Sequence, residues 1–553
     1  MIHPQAGEQQ GRSREVPVTI DIRPDREVGR VDPNIYGHFL ESNFFGNIEG
    51  GVFDEGSPLT LPGPGPYEGL RGDVIDACRA LGVPVVRWPG GNFASAYHWE
   101  DGIGPRQERP RRLDLTWLGQ ESNRFGTDEF LAWCQAIDAE PYLTHSCRSV
   151  EEAVRWVEYT NYAGQTTYTA ARAANGHAEP WRVKYWGIGN EVWGPWQMGH
   201  RGADAYAADA REHALFMRRV DPALQLIAVG PHTPSDEQWA QQLLARAGNL
   251  VDYASLHLYG ASLHLGGTDD YEAVVTQPRF FEDQITATAD LLAVTARRAG
   301  VERPLSIALD EWNMRHLEPA GWPEPQPGAR GGTAPRSLPG EVDGAGRLRV
   351  NRYSSRTLAD ALFHAGVLNA LHRLCGASIA VRMANTVNLV NANALLEVRP
   401  DGLVRSTTYH VWDLYQRRLG RRVVEATVAG CPSTVAVRQG AGGNSGPFRT
   451  KPAELPPLDV VATAGEGGVV QLAVINRHRS EAAAARLVRD GRATDLPPAA
   501  HAWDLGADTA DVWASNSLDA PDQVAVADRG RRELPDGCYE FAPHSVTVLE
   551  WAR

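Results

Sequence analysis

Apolar positions along this chain recur with two different periods. From Val31 to about Val390, short apolar runs alternate with stretches whose apolar residues return every three or four positions. The runs Ile35–Phe39, Val83–Trp88, Pro141–His145, Val183–Ile188, Leu224–Val229, Tyr253–Leu258, Leu305–Leu309 and Ala377–Met383 predict buried strands. Between them Asp73–Leu81, Asp128–Ile137, Val150–Tyr159, Ala203–Val220, Glu237–Ala247, Phe281–Arg298 and Leu358–Leu374 predict amphipathic helices. Ser149-Val-Glu-Glu152 and Ser235-Asp-Glu-Gln238 fit capping boxes that open two of these helices. This β–α alternation predicts a (β/α)8 barrel with enlarged loops. An open doubly wound sheet is the competing architecture, but no strand leads into a GxGxxG turn or a P-loop.

Beyond about Arg405 the helical period fades. Thr427–Arg438, Val460–Thr463, Val469–Ile475 and Ser545–Trp551 alternate instead with a period of two, which predicts an all-β, jelly-roll-like sandwich. Val16–Ile22 alternates in the same way and is expected to join it. The expected domains are therefore an N-terminal tail and strand (1–30), a catalytic barrel (31–404) and a C-terminal sandwich (405–553). Leu317–Arg347, rich in proline and glycine, reads as an active-site flap or a surface loop, and Gly440–Pro456 as an exposed loop.

Charge narrows the function. With 54 basic and 68 acidic residues the net charge is −14, so the basic footprint of a nucleic-acid or anionic-membrane binder is missing. Only Lys184 and Lys451 are lysines, which leaves two candidate amines for Schiff-base chemistry. The six cysteines show no CxxC spacing and read as reduced thiols. Histidines show no metal-ligand spacing, so neither metal nor cofactor is expected. The first twenty residues lack an apolar core, and no run approaches 18 apolar residues, so the expectation is a cytoplasmic protein.

In a barrel of this type, reactive side chains stand at the carboxyl ends of the strands. Those ends carry Glu41, then Pro89-Gly-Gly-Asn92, then Asn190-Glu191, His257-Leu-Tyr259, Asp310-Glu311-Trp312-Asn313, and finally Asn385 and Asn388. The fourth and seventh predicted strands each end in a glutamate. Glycoside hydrolysis needs such a pair, one carboxyl to protonate the leaving oxygen and one to attack the anomeric carbon.

The segments WGIGNEVWGPWQMGH, RWPGGNFASAYHWEDGIGPRQERPRRLDL, SLHLY and LDEWN resemble family 51 glycoside hydrolases, the α-L-arabinofuranosidases of clan A, from about Tyr36 to Trp412. The resemblance implies a retaining exo-hydrolase that releases terminal α-L-arabinofuranose, with a small oligosaccharide as substrate. It makes Glu191 the general acid/base and Glu311 the nucleophile. It assigns sugar contacts to Glu41, Asn92, Trp99, Asn190, His257 and Tyr259. It also implies a homo-oligomer, hexamers being frequent among such enzymes. Burial and the nearby charge of Glu311 are expected to raise the pKa of Glu191, while His257 and Tyr259 hold Glu311 in its attacking orientation.

The chain departs from the family pattern at Glu41-Ser-Asn-Phe-Phe, at Trp193, at Asn385 and at Thr144-His-Ser-Cys147. All four are expected at the pocket rim, with Trp193 as a stacking platform and Asn385 as a further contact. Unchanged chemistry with altered recognition is the implied outcome, which keeps β-D-galactofuranosides and α-D-arabinofuranosides open as substrates. For Trp99 and Trp193 the competing role is that of a packing indole. Two other functions compete: a non-catalytic sugar-binding protein, which both carboxylates argue against, and a Schiff-base lyase. Lys184 lies seven residues before Glu191, so strand alternation turns it away from the pocket.

Overall fold

The computed structural model describes residues 18–319, 348–431, 435–436, 454–492 and 496–551. Eight parallel strands close into a barrel: β2 (Gly37–Phe39), β3 (Val85–Trp88), β4 (Glu140–His145), β5 (Tyr185–Ile188), β6 (Gln225–Ala228), β7 (Tyr253–Ser262), β8 (Ser306–Pro319) and β9 (Val381–Thr386). Pairing of β8 with both β7 and β9 completes the ring. Val85, Tyr142, Tyr185, Ile227, Tyr253, Ala308 and Met383, one from each of β3 to β9, pack as a single layer inside it. At the remaining strand Gly37 takes the place of a side chain. A Cβ there would meet Val85 Cγ1 at 2.6 Å and Asn385 Nδ2 at 2.7 Å.

The helices α1 (Gly72–Leu81), α2 (Thr127–Ile137), α3 (Val150–Asn161), α4 (Thr167–Ala174), α5 (Ala203–Val220), α6 (Glu237–Ala247), α7 (Tyr271–Ala299) and α8 (Leu358–Arg373) lie along the chain between or after these strands. Outward-facing Trp88, Leu143, Trp186 and Leu226 bury their apolar surface in the same core as α2, α3 and α5. Ser149 caps α3 by accepting from the Glu152 N–H. The cap of α6 is Asp236, not Ser235, with its carboxylate accepting from the Trp239 N–H. α7 starts ten residues before the expected Phe281 and carries Pro278 inside it, a residue that reads in sequence as a boundary. Gly366 of α8 makes room for that ring, since a Cβ at 366 would lie 2.6 Å from Pro278 Cγ.

The C-terminal region corrects one expectation. Helical periodicity does not end at Arg405, because α9 (Thr407–Arg418) follows and buries Tyr409, Val411, Trp412, Leu414 and Tyr415. Its aromatic and polar composition hides the period, and packing of Trp412 against Trp312 at 5.8 Å holds it in place. Strands β10 (Arg422–Ala429), β11 (Leu458–Ala464), β12 (Val470–Asn476), β13 (Ala483–Arg489), β14 (Ala499–Leu505), β15 (Val526–Glu533), β16 (Cys538–Phe541) and β17 (Ser545–Trp551) build a second sheet with β1 (Val18–Arg30). Its order is β15-β14-β17-β12-β11-β10-β1-β13-β16. Alternation along β11 and β12 divides the two faces. Val460, Ala462, Leu472 and Val474 enter a core belonging to the sheet alone, whereas Val461, Ala473 and Ile475 pack into the barrel core. The Pro/Gly-rich 320–347 part of the Leu317–Arg347 segment and most of Gly440–Pro456 lie outside the described residues.

Candidate active site

Glu191 follows β5 and Glu311 sits within β8, and the barrel brings both to one His257 on β7. One side-chain ligand atom from each of the three lies within 4.8 Å of the others. All three side chains are buried. His257 Nδ1 is 2.9 Å from Glu191 Oε1 and 3.5 Å from Glu311 Oε2, while its Nε2 lies 3.0 Å from Asp310 Oδ1. Tyr259 donates its hydroxyl to Glu311 Oε2 at 2.7 Å, and Arg87 Nη1 donates to Glu311 Oε1 at 2.8 Å. The same Arg87 donates through Nη2 to Asn190 Oδ1 at 2.7 Å. Asp310 is held in turn by the Tyr142 hydroxyl at 2.9 Å. A register shift in β8 between Ala308 and Glu311 lets consecutive residues Asp310 and Glu311 both reach this cluster.

The local backbone is built for these approaches. Glu191 holds φ 42°, a left-handed conformation costly for a side-chain-bearing residue, and follows Gly189 at φ 85°. Gly91 is required by Glu311, because a Cβ there would fall 2.3 Å from Glu311 Oε1. Gly90, at φ 142°, makes the same allowance for Glu41, whose Oε1 accepts the N–H groups of Gly91 (3.2 Å) and Phe93 (2.8 Å). Asn92 Oδ1 accepts from Asn190 Nδ2 at 3.4 Å and from Gln197 Nε2.

The charges differ from the sequence expectation at Glu191. Burial alone would raise its pKa, but the hydrogen bond and charge of His257, then Arg315 and His232, outweigh burial and hold it below the ordinary value. His257 is correspondingly raised to about 10: burial opposes its charge, but Glu311, Asp310 and Glu191 favour it more. His257 was expected to serve the nucleophile. Its shorter contact is to Glu191, and that reverses the shift.

Glu41 is pushed up to about 8, chiefly by burial and further by the charge of Glu311, against the Phe93 N–H bond. It is therefore a neutral acid at pH 7. Replacement by glutamine, which copies that neutral form, should retain hydrolysis and remove the alkaline limb of kcat/KM near pH 8. A limb that persists in the Glu41→Gln enzyme would assign it to another group.

Two assigned residues are not brought to the carboxylates. Trp99 is 1 % exposed, lies parallel to Trp156 at 5.9 Å and donates its indole N–H to the Glu152 carbonyl, so it packs against α3. Asn385 is fully buried on β9 beside Gly37, donating to the His38 carbonyl at 3.0 Å, and stands inside the barrel below the rim. His145 also leaves the rim, stacking on His213 of α5 at 5.0 Å. Trp193 stays half-buried near the acid, 3.9 Å from the His232 ring and 5.8 Å from the exposed Trp196. Lys184 is exposed over the Tyr185 ring.

Four participants were given no role from sequence. Arg87, Asp310 and Gln197 sit inside the quoted motifs, and a charged residue in an apolar barrel strand (Val-Val-Arg-Trp) is the signal that marks Arg87. Arg315 carries no such signal. Arg315 lies 3.6 Å over the Tyr259 ring.

Against this geometry the relatives can be weighed. The family models "Alpha-L-arabinofuranosidase 1 domain" and "Alpha-L-arabinofuranosidase C-terminal domain" match residues 77–275 and 310–545. Alpha-L-arabinofuranosidase C of Emericella nidulans is 34% identical over 549 residues, covering 96% of this chain and 97% of its own. The chain belongs to glycoside hydrolase family 51. An intracellular exo-alpha-(1->5)-L-arabinofuranosidase of Streptomyces lividans is 34% identical over 403 residues, covering 70% of this chain and 55% of that one. Among solved structures, the family 51 α-L-arabinofuranosidase of Thermotoga petrophila superposes with a TM-score of 0.80 at 33% identity, covering 97% and 100% of the two chains. The arabinose complex of the Thermotoga maritima α-L-arabinofuranosidase gives a TM-score of 0.78 at 33% identity, covering 97% and 99%. The chain is thus a glycoside hydrolase with its site at the expected end of the barrel.

Proposed function

We propose that this enzyme releases terminal α-L-arabinofuranosyl residues from short oligosaccharides by retaining double displacement. The observation that carries the reading is the approach of the Glu191 and Glu311 carboxylates to within 4.8 Å around one imidazole. Carboxyl groups about 5 Å apart leave no room for a water between the second carboxylate and the anomeric carbon, so that carboxylate attacks directly. Glu311, held by Arg87 and Tyr259, is the nucleophile, and Glu191 is the acid/base. Glu41, Asn92 and Asn190 face the sugar ring, with Trp193 on the leaving-group side. The same reading divides the chain into 1–30, 31–404 and 405–553, and places the enzyme in the cytoplasm.

Proton bookkeeping follows from the His257–Glu191 contact. In the free site one proton lies on the Nδ1···Oε1 line, on the imidazole side. A bound substrate excludes water, and a drier site favours the neutral imidazole and carboxylic acid over the ion pair. Glu191 then gives the proton to the leaving oxygen as Glu311 attacks. The resulting ester carries no charge, so it no longer supports a proton on His257. Glu191 is left as the base that deprotonates the incoming water, and hydrolysis of the ester restores both charges.

A panel of p-nitrophenyl furanosides tests the substrate class. The expected result is turnover of the α-L-arabinofuranoside with initial release of the same anomer. Turnover of β-D-galactofuranoside or α-D-arabinofuranoside with an inert α-L-arabinofuranoside would overturn it.

A further inference from the structure

One charged group beside Glu191 and Glu311 has two buried donors that no described residue accepts. Arg315 is 6 % exposed, yet its Nε and Nη1 donors are buried with no hydrogen-bond partner among the described residues. Burying a guanidinium without acceptors is costly, and natural proteins do so where a ligand supplies them. Its position is defined by strand pairing. Glu311, Asn313 and Arg315 lie opposite His257, Tyr259 and Ala261 on the neighbouring strand, so the three share the face that carries the catalytic cluster. The guanidinium rests on the ring of Tyr259, whose hydroxyl holds Glu311, and its charge reaches Glu191. Arg315 is therefore beyond the nucleophile in the direction of the rim and on the side of the acid, where a leaving group must pass.

Resting on the reading of Glu191 as the acid, we propose that Arg315 is a specificity residue that receives a carboxylate of the leaving group, so that the enzyme favours arabinofuranosides attached to an acidic sugar. A guanidinium and a carboxylate match in shape and charge, unlike a guanidinium and a neutral hydroxyl. The choice of a charged partner also follows from the reaction. When the proton moves from His257 to Glu191, the negative charge that faces Arg315 disappears, and a carboxylate on the leaving group replaces it. The overall charge of −14 repels an anion at long range, but that field is screened over about 8 Å at physiological salt, whereas a buried pair is not.

The test compares two α-L-arabinofuranosides whose leaving group is a hexuronic acid or its methyl ester, joined through the same hydroxyl. The wild-type enzyme should prefer the free acid in kcat/KM by about ten-fold or more. In Arg315→Met the ratio should fall to about one, and in Arg315→Lys, which keeps the charge and loses the planar fork, to an intermediate value. The ratio is internal to each preparation, so it does not depend on the folded fraction. If Arg315→Met does not fold, the lysine variant reads the same quantity. A wild-type ratio of one, or a ratio unchanged by the substitutions, overturns the proposal. Aryl arabinofuranoside turnover separates the two readings. If it proceeds while the ratio is one, only the role of Arg315 falls; if the aryl substrate is also inert, the arabinofuranosidase reading falls with it.

Discussion

Glu311→Ala should reduce turnover of every furanoside by about four orders of magnitude or more, the loss seen when one member of a catalytic set is deleted. In the proposed double displacement the whole of covalent catalysis passes through this carboxylate, and neither neighbouring acid is placed to replace it. Asp310 is adjacent in sequence but is committed to His257 Nε2 and the Tyr142 hydroxyl. Glu41 is neutral and faces the Phe93 N–H. The substitution also leaves a buried cation underpaired, since among the described residues Arg87 then keeps only Asp310, at 3.7 Å, as a charged partner. The variant should therefore melt at a lower temperature while giving an unchanged circular dichroism spectrum at 25 °C. Steady-state rates and a thermal melt check both statements. Activity within ten-fold of wild type would remove Glu311 from the nucleophile role.

Glu191→Ala should show a different signature. General acid catalysis contributes roughly 10²- to 10⁴-fold, and it matters most when the leaving group is a poor one. Oligosaccharides should thus lose most of their rate, while activated aryl furanosides form the glycosyl-enzyme and stall there. Azide, which needs no base, should restore turnover of the aryl substrate and yield a glycosyl azide. His257 adds a further expectation. It is raised to about 10 partly by its bond to Glu191, so removing that carboxylate lowers it, a shift that an NMR titration of the imidazole reads. An enzyme equally slowed on both substrates and deaf to azide would show that Glu191 is not the acid/base.

Much of the architecture was legible because it depends on local periodicity. Short apolar runs such as Val183–Ile188 before Glu191 and Leu305–Leu309 before Glu311 read as buried strands, and amphipathic stretches such as Ala203–Val220 had one face to bury. Where tertiary contacts overruled local preference, the reading failed. Pro278 reads as a helix end and is not one, because Gly366 across the interface accommodates its ring. Thr407–Arg418 shows weak periodicity yet is helical, because aromatic residues on several sides are buried between the barrel and the sheet.

The site divides along the same line. Strand-end position brought Glu191, Glu311, Asn190, His257 and Tyr259 forward, and the family resemblance implied their roles. Which atom meets which was decided by the closed barrel alone. Closure puts β7 beside β8 and aims β3 across the lumen, so that His257 falls nearest the acid and Arg87 bridges Asn190 to Glu311. It also withdraws Trp99 into the helical layer and leaves Arg315 on the face of β8 that carries Glu311, with two buried donors that no described residue accepts. Periodicity is carried by neighbours a few residues apart and can be read along the chain. Proton affinity depends on charges a few ångströms away that come from positions as distant as 87, 191 and 311, and only the fold brings those together.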